Sequence, residues 1–284
     1  MIETAVIPVA GFGTRMLPIS KSIPKELIPL LDKPVIQYVV EEAIAAGIKK
    51  IVFVNHAQKT SIENYFDTNA ELEAQLEAKG KTALLEAINP FPVDIHFTSV
   101  RQAKGQGLGH AVLCAKPVVG SDDFAVLLPD VVINPFKSSL EADNLAAMVK
   151  LFNDTAASQI LVEAVADKDV SKYGIADIDG ELTAGASTSV KGFVEKPDLV
   201  DAPSNLAIVG RYVFDNQIFG LLEQVKPDKS GEIQLTDAID ALISQKPVEV
   251  HSMVGKSHDN GNKLTYVQTF IEFAKAHPDY KDLV

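Results

Sequence analysis

Two glycines and two cations near the start of the chain form a pattern suited to binding phosphate. Gly11-Phe12-Gly13-Thr14-Arg15 directly follows an apolar run, and Lys25 comes ten residues after Arg15. Glycines allow backbone amides to face a phosphate closely, because no Cβ intervenes. Arg15 presents a planar fork of N–H donors to phosphate oxygens, and Lys25 adds a second positive charge. The segment predicts a phosphate-binding loop, although glycines that pack a tight turn and an exposed lysine would give the same pattern.

This glycine loop departs from two familiar nucleotide-binding motifs. Met16 stands where a dinucleotide fingerprint requires a third glycine, and the second predicted strand ends in Val54-Asn55-His56 instead of an acidic residue. A Walker loop requires Gly-Lys followed by Ser or Thr, and that sequence does not follow Gly11 and Gly13. The pattern therefore disfavours both a dinucleotide-dependent oxidoreductase and a P-loop ATPase.

Two aspartates are candidates for binding a divalent cation. Asp130 follows a buried apolar run, and we expect Asp259 in a short polar turn before the last helix. Mg²⁺ prefers hard carboxylate oxygens and commonly takes one or two from the protein, with phosphate and water completing its shell. The alternatives are an ordinary turn residue for Asp130 and a helix-start cap for Asp259. Sequence spacing alone does not bring the two side chains together.

The elements that must position these residues are predicted from hydrophobic periodicity. An apolar run at 4–9 precedes the glycine loop, apolar residues recur at helical spacing from Ile36 to Ile44, and 51–54 is short and β-branched. This order forms a βαβ unit and predicts parallel strands. Further segments predict strands at 93–100, 124–128, 160–165, 173–178, 190–195 and 206–214, and helices at 109–114, 145–152, 235–243 and 264–274.

These elements predict a single α/β domain over residues 1–284. We expect a Rossmann-like mixed, mostly parallel sheet with helices on both faces, and additional antiparallel strands in the second half. An Asp179-Gly180 turn signal separates two of those later strands.

Composition narrows the class of protein. The 284 residues are 46% hydrophobic and carry 26 basic against 38 acidic side chains, a net charge of -12. Such a chain can bury a large core, and its charge disfavours nucleic acid and anionic membranes as partners. No segment approaches the roughly 18 apolar residues of a membrane span. A single cysteine, Cys114, cannot form an internal disulfide. We expect a soluble cytoplasmic protein.

The glycine loop and Pro24-Lys25-Glu26 together resemble the signature of the sugar nucleotidyltransferases, which join a sugar 1-phosphate to a nucleoside triphosphate. The resemblance runs from Ala5 to about Phe273. Later segments that carry it are Gly107-Leu108-Gly109-His110-Ala111, Leu128-Pro129-Asp130-Val131, Val194-Glu195-Lys196-Pro197, 204–212, 231–238 and 256–262.

The resemblance implies an activity and its partners. It implies transfer of the uridylyl group of UTP to glucose 1-phosphate, giving UDP-glucose and pyrophosphate, with Mg²⁺ as cofactor. It also implies a nucleotide-diphospho-sugar transferase type of fold, with a nucleotide-binding half at about 1–135 and a sugar-phosphate-binding half with the C-terminal helices at about 136–284. A homodimer or homotetramer is expected, with the C-terminal helical region as a candidate interface.

The resemblance also implies roles for individual residues. Those expected to bind the nucleotide are Ala10, Gly11, Gly13, Thr14, Arg15, Lys25, Gln102 and Gly107. Those expected to bind the sugar phosphate are Tyr173, Gly174, Glu195, Lys196 and Asn205. Asp130 and Asp259 are expected to bind the metal, and Arg15, Lys25 and Lys196 to act in catalysis.

The residues allow two alternative functions and raise one question of strand geometry. The Gln102 carboxamide can pair with the edge of uracil, but thymine shares that edge, so a thymidylyltransferase or another sugar nucleotidyltransferase is an alternative. A second alternative is a non-catalytic paralogue that binds sugar nucleotide or regulates a partner. Finally, Glu195 and Lys196 would point to opposite faces of a regular strand, unless Pro197 ends the strand and relaxes that limit.

Overall fold

A mixed nine-stranded sheet forms the centre of the molecule in a computed structural model that describes residues 1–283. The strands are β1 Thr4–Pro8, β2 Pro29–Leu30, β3 Lys33–Pro34, β4 Lys50–Asn55, β5 His96–Arg101, β6 Phe124–Leu127, β7 Val131–Ile133, β8 Ser158–Ala164, β9 Gly174–Ile178, β10 Ser187–Glu195, β11 Leu206–Phe214, β12 Val248–Ser252 and β13 Ser257–Asp259. The helices are α1 Val35–Ala45, α2 Thr60–Phe66, α3 Ala70–Ala78, α4 Thr82–Ile88, α5 Gly107–Cys114, α6 Lys116–Val119, α7 Leu145–Thr155, α8 Ile218–Leu222, α9 Leu235–Ile243 and α10 Lys263–Ala276.

The order of strands across the large sheet is β5-β4-β1-β6-β11-β8-β12-β10-β9. The first four are parallel, as the βαβ pattern predicts. β11 runs antiparallel to both β6 and β8, and β10 runs antiparallel to both β12 and β9. The other seven strands therefore share one direction, and the antiparallel strands come from the second half of the chain.

Alternating side chains of the central strands fill two hydrophobic layers, one on each face of the sheet. In β1, Ala5 and Ile7 belong to one layer and Val6 to the other. Helices α1, α7 and α10 contribute to the first layer, and α5, α8 and α9 to the second. Because both faces are covered, the central strands read as continuous apolar runs.

The carboxyl ends of the parallel strands carry several of the residues that the sequence singled out. The glycine loop follows β1, Gln102 follows β5 and Asp130 comes shortly after β6. Parallel strands end at one edge of their sheet, and open α/β sheets bind ligands at that edge. The topology therefore gathers these segments on one side of the molecule.

A small antiparallel ribbon of β7 and β13 corrects one expectation. Asp259 ends β13 and pairs with Val131 across the ribbon, so it lies in a strand and not in a turn. It does not cap the last helix either, because the side chain of Asn262 accepts the hydrogen bond from the amide of Thr265 at 3.0 Å. Among the helices of residues 1–283, none has both the length and the apolar character needed to cross a bilayer.

Candidate active site

A cavity of about 630 Å³ opens among the segments that the sequence marked as functional. Its walls come from the glycine loop, the β6–β7 turn, the ends of β9 and β10, and the β13–α10 region. Seven predicted site residues line it, namely Arg15, Asp130, Tyr173, Gly174, Glu195, Lys196 and Asp259.

Asp130 and Asp259 meet because the β7–β13 ribbon joins distant parts of the chain. The amide of Asn260 donates to the carbonyl of Asp130 at 2.7 Å, which joins the Asp130 turn to the end of β13. A Cβ on Gly261 would lie 2.6 Å from Asp130 Oδ2 and 2.8 Å from Asp259 Oδ1. The two carboxylates therefore converge on one small space that glycine leaves open.

This pair of carboxylates fits the way proteins hold Mg²⁺. The ion commonly takes one or two protein carboxylates and completes its shell with substrate phosphate and water. Within residues 1–283, no group of three or more His, Cys, Asp or Glu side chains is arranged to hold a metal alone. Asp130 and Asp259 would thus hold Mg²⁺ together with phosphate oxygens.

Lys25 compensates the charge of Asp130. Its ammonium forms an ion pair with Asp130 Oδ2, and both side chains are only 14% exposed. Burial alone would raise the pKa of the Asp130 carboxyl, but the Lys25 ammonium beside it keeps that pKa below its usual value. Asp130 is consequently ionised at neutral pH.

The glycine loop packs on the stem of Lys25. Gly13 has φ of 64°, a left-handed conformation that favours glycine, and a Cβ there would lie 3.3 Å from three carbons of Lys25. The side chain of Ser20 donates to the carbonyl of Gly13 at 2.8 Å. Arg15 follows within the loop, 62% exposed, with its Nη1 3.7 Å from Asp259 Oδ2. Gly13, Lys25 and Arg15 are thus gathered beside the two aspartates.

Glu195 and Lys196 both line the cavity, although they are neighbours in sequence. The strand ends at Glu195, and Lys196 has φ of 46°, so the alternation of a regular strand does not apply to it. Lys196 Nζ lies 2.8 Å from Glu195 Oε1. A Cβ on Gly174 would lie 3.2 Å from Glu195 Oε2, so a glycine at this position avoids a close contact with the carboxylate.

Three further predicted site residues lie outside the lining of the cavity. Gln102 is buried, and its amide nitrogen lies 3.2 Å from the carbonyl of Gly107 and 2.9 Å from His110 Nδ1. Gly107 has φ of 86° and packs so closely on Ile233 that a Cβ would meet its carbonyl at 2.9 Å. Asn205 donates to the carbonyl of Val165 at 3.3 Å. The lining of the cavity includes none of Gln102, Gly107 and Asn205.

A family model described as nucleotidyl transferase matches residues 4–275. The chain belongs to the nucleotidyl transferase family.

This nucleotidyltransferase has close relatives among curated proteins and solved structures. It is similar to the UTP–glucose-1-phosphate uridylyltransferase of Escherichia coli K12, with 55% identity over 97% of the chain and 91% of the relative. A UTP-bound UGPase from Acinetobacter baumannii has 49% identity and a TM-score of 0.92, covering 100% of the chain and 98% of that structure. A UDP-glucose pyrophosphorylase complexed with UDP-glucose has 38% identity and a TM-score of 0.84, covering 98% and 100%. The predicted family and fold class are confirmed.

A buried ion pair that was not predicted from the sequence connects the nucleotidyltransferase's glycine loop to the Lys25 segment. Lys59, only 8% exposed, donates to the carbonyl of Val9 at 2.8 Å and to Glu26 Oε2 at 2.9 Å. Val9 lies two residues before Gly11, and Glu26 directly follows Lys25. Burial raises the pKa of Glu26 and lowers that of Lys59. No local pattern in the sequence marks Lys59 as buried.

Gly261 is a second residue that the sequence did not assign a role. It follows Asp259 and Asn260 directly, and a Cβ there would also lie 2.8 Å from Arg15 Nη2. The signal available in the sequence was a glycine two residues after Asp259, a candidate metal ligand. Only the folded structure shows that a Cβ at this position would meet three charged side chains.

Proposed function

We propose that the chain transfers the uridylyl group of UTP to glucose 1-phosphate and releases UDP-glucose and pyrophosphate. The observation that carries the proposal is the meeting of Asp130, Asp259, Arg15 and Lys25 beside a cavity that Lys196 also lines. Two polyanions can be brought together only where fixed positive charges offset their repulsion. The chain's similarity to uridylyltransferases supports UTP as the nucleotide.

The reactants are assigned to opposite sides of this cavity. On the nucleotide side, Arg15 and Lys25 bind the triphosphate and the leaving pyrophosphate, and the amides of 10–14 face phosphate oxygens. Gln102 and Gly107 belong to the segment proposed to contact the base.

On the sugar side, Lys196 provides a point charge for the phosphate of glucose 1-phosphate, and Glu195 accepts hydrogen bonds from sugar hydroxyls. Tyr173, Gly174 and Asn205 complete this proposed subsite. Lys196 and Glu195 are already paired at 2.8 Å, so the sugar phosphate would draw the ammonium away from the carboxylate.

The proposed chemistry is a direct in-line displacement. A phosphate oxygen of glucose 1-phosphate forms a bond to the α-phosphorus of UTP, and the bond from that phosphorus to the bridging oxygen of the β-phosphate breaks. Pyrophosphate leaves with the electron pair. The second pKa of a phosphate monoester is about 6, so the nucleophile is mostly dianionic at neutral pH and requires no general base. The protein's role is positioning and charge compensation.

Mg²⁺, held by Asp130 and Asp259, would neutralise phosphate charge and stabilise the transition state. The Lys25 ammonium keeps Asp130 ionised for this purpose. A fixed pair of hard oxygen ligands beside two cations is the arrangement expected where a nucleotide binds with its metal.

The proposal extends to the two halves of the domain, the location of the protein and its oligomeric state. We infer a nucleotide-binding half at about 1–135, a sugar-phosphate half at about 136–284, a cytoplasmic location and a homodimer or homotetramer. The chain's acidity argues against nucleic acid as a partner.

Pyrophosphate release from pure protein, Mg²⁺, glucose 1-phosphate and a panel of triphosphates tests the function. We expect release with UTP to exceed release with dTTP, ATP, CTP and GTP. Preference for dTTP would favour the thymidylyltransferase alternative. Absence of release with every triphosphate would favour a non-catalytic role.

A further inference from the structure

Arg211 is fully buried, with 0% of its surface exposed, and it contacts the turn that carries Asp130. Its Nη1 donates to the carbonyl of Leu128 at 3.1 Å, and its Nη2 donates to the carbonyl of Val131 at 2.6 Å. These two carbonyls lie on either side of Pro129 and Asp130 in the chain. One guanidinium therefore holds both ends of the turn.

Glu42 on α1 fixes the orientation of this guanidinium. Arg211 Nε lies 3.0 Å from Glu42 Oε1, and Arg211 Nη2 lies 2.8 Å from Glu42 Oε2. The remaining Nη1 donor reaches the carbonyl of Gly210 at 3.4 Å. All five N–H donors of the buried arginine thus have an acceptor, and these hydrogen bonds fix the orientation of the guanidinium.

A β-bulge in β11 brings Arg211 to the turn. The register between β11 and β8 shifts between Ile208 and Tyr212, and Gly210 within this stretch has φ of 88°. A Cβ on Gly210 would lie 2.6 Å from Leu128 Cδ1, so only glycine allows the two segments to approach. Bulges commonly redirect a side chain next to a functional site.

We propose that Arg211, oriented by Glu42, is a positioning residue that holds the Asp130 carboxylate where the metal binds. The inference rests on the proposed role of Asp130 as a metal ligand. Residues that orient a ligand typically change metal affinity by about 10–100-fold when substituted. Lysine cannot take over this role, because a single ammonium cannot span two carbonyls and a carboxylate.

Binding of Mn²⁺ alone to the full chain, followed by electron paramagnetic resonance of the free ion, tests the proposal without turnover. We expect Arg211→Lys to bind Mn²⁺ about tenfold more weakly than the wild type. Leu242→Ala, a core substitution in α9 on the opposite face of the sheet, is the control for general destabilisation and keeps wild-type affinity. Equal affinity of Arg211→Lys and the wild type would overturn the proposal.

A second variant covers the case in which Arg211→Lys does not fold. The double substitution Arg211→Met with Glu42→Leu removes the pair without leaving an unpaired buried charge, so the fold is expected to persist. It also removes both hydrogen bonds to the Asp130 turn, and we expect the same loss of Mn²⁺ affinity. Wild-type affinity in the folded double variant would contradict the proposal.

Asp130→Asn separates this proposal from the proposed function. If that variant binds Mn²⁺ as the wild type does, the metal assignment of Asp130 fails, and hydrogen exchange then decides the positioning role. The amide of Asn260, which donates to the carbonyl of Asp130, should exchange faster in Arg211→Lys than in Leu242→Ala at equal global stability. Equal exchange would overturn the positioning role.

Discussion

Lys25 and Asp130 form an ion pair across 105 residues of sequence. Lys25, which we assign to the triphosphate, therefore contacts the carboxylate of Asp130, which we assign to the metal. In the free protein each charge compensates the other. We propose that both groups gain further partners when UTP enters with its metal, and that the site then compensates the charge of the substrate.

This pairing predicts a coupled effect on stability. Lys25→Met leaves the poorly exposed Asp130 carboxylate without its partner, and we expect a loss of about 1–3 kcal/mol in the free energy of unfolding. Lys25→Met with Asp130→Asn should recover part of that loss, because no unpaired charge remains. Urea unfolding of the two single variants and the double variant measures the coupling. Strictly additive losses would mean that the pair contributes nothing.

Substitution of Gly261 should lower activity through steric crowding alone. Its backbone has no positive φ, so Gly261→Ala adds only a methyl group, placed 2.6 Å from Asp130 Oδ2. Displacement of the carboxylates should lower kcat/KM by about 100-fold, since small misplacements of reacting groups have effects of this size. Gly220→Ala, where a Cβ meets nothing within 4 Å, is the matched control. Equal kcat/KM in both variants would refute the crowding.

Local sequence patterns were sufficient to predict the first elements of the fold. The apolar run of β1, the helical spacing of α1 and the β-branched β4 predict a βαβ unit, and the structure contains one. Asp130 could be placed at the end of a buried strand for the same reason. Such features depend on residues close in sequence, whose periodicity records which face is buried.

The meeting of Asp130 with Asp259 could not be predicted from spacing, because it depends on the non-local pairing of β7 with β13. The buried charges of Lys59 and Arg211 were missed for a related reason. A charged residue normally lies at the surface, and only its partners in the fold show that burial is compensated. The hydrogen bonds of Lys59 and Arg211 connect segments that are far apart in sequence, so no local pattern predicts them.

Lys196 predicts a selective loss of sugar-phosphate binding. Lys196→Ala removes the point charge assigned to glucose 1-phosphate, and we expect the KM for that substrate to rise by about tenfold or more, equivalent to about 1.4 kcal/mol. The KM for UTP should change little. Lys191→Ala is a suitable control, since Lys191 is an exposed lysine of β10 that pairs with Asp179. Equal increases in both KM values would contradict the assignment.

Glu272 predicts a dependence of stability on pH. Burial alone would raise the pKa of its carboxyl, but hydrogen bonds from Lys137 and Lys256 lower it to about 2. A carboxyl whose pKa is lowered by folding stabilises the protein above its unfolded pKa of about 4.3, and this contribution fades as the pH falls below that value. The difference in urea midpoint between the wild type and Glu272→Gln should therefore be largest near pH 6 and shrink below about pH 4.3. A constant difference from pH 6 to pH 3 would exclude this carboxyl as a source of the acid dependence.

We propose that Asp130 and Asp259, with the cations beside them, hold the metal and the two negatively charged reactants in one cavity. Steady-state pyrophosphate release across a Mg²⁺ titration, compared between the wild type and Asp130→Asn, tests this arrangement. We expect metal-dependent turnover in the wild type and its near-complete loss in the variant, since the asparagine amide supplies no charge to the ion. The same rates in both proteins at every Mg²⁺ concentration would contradict it.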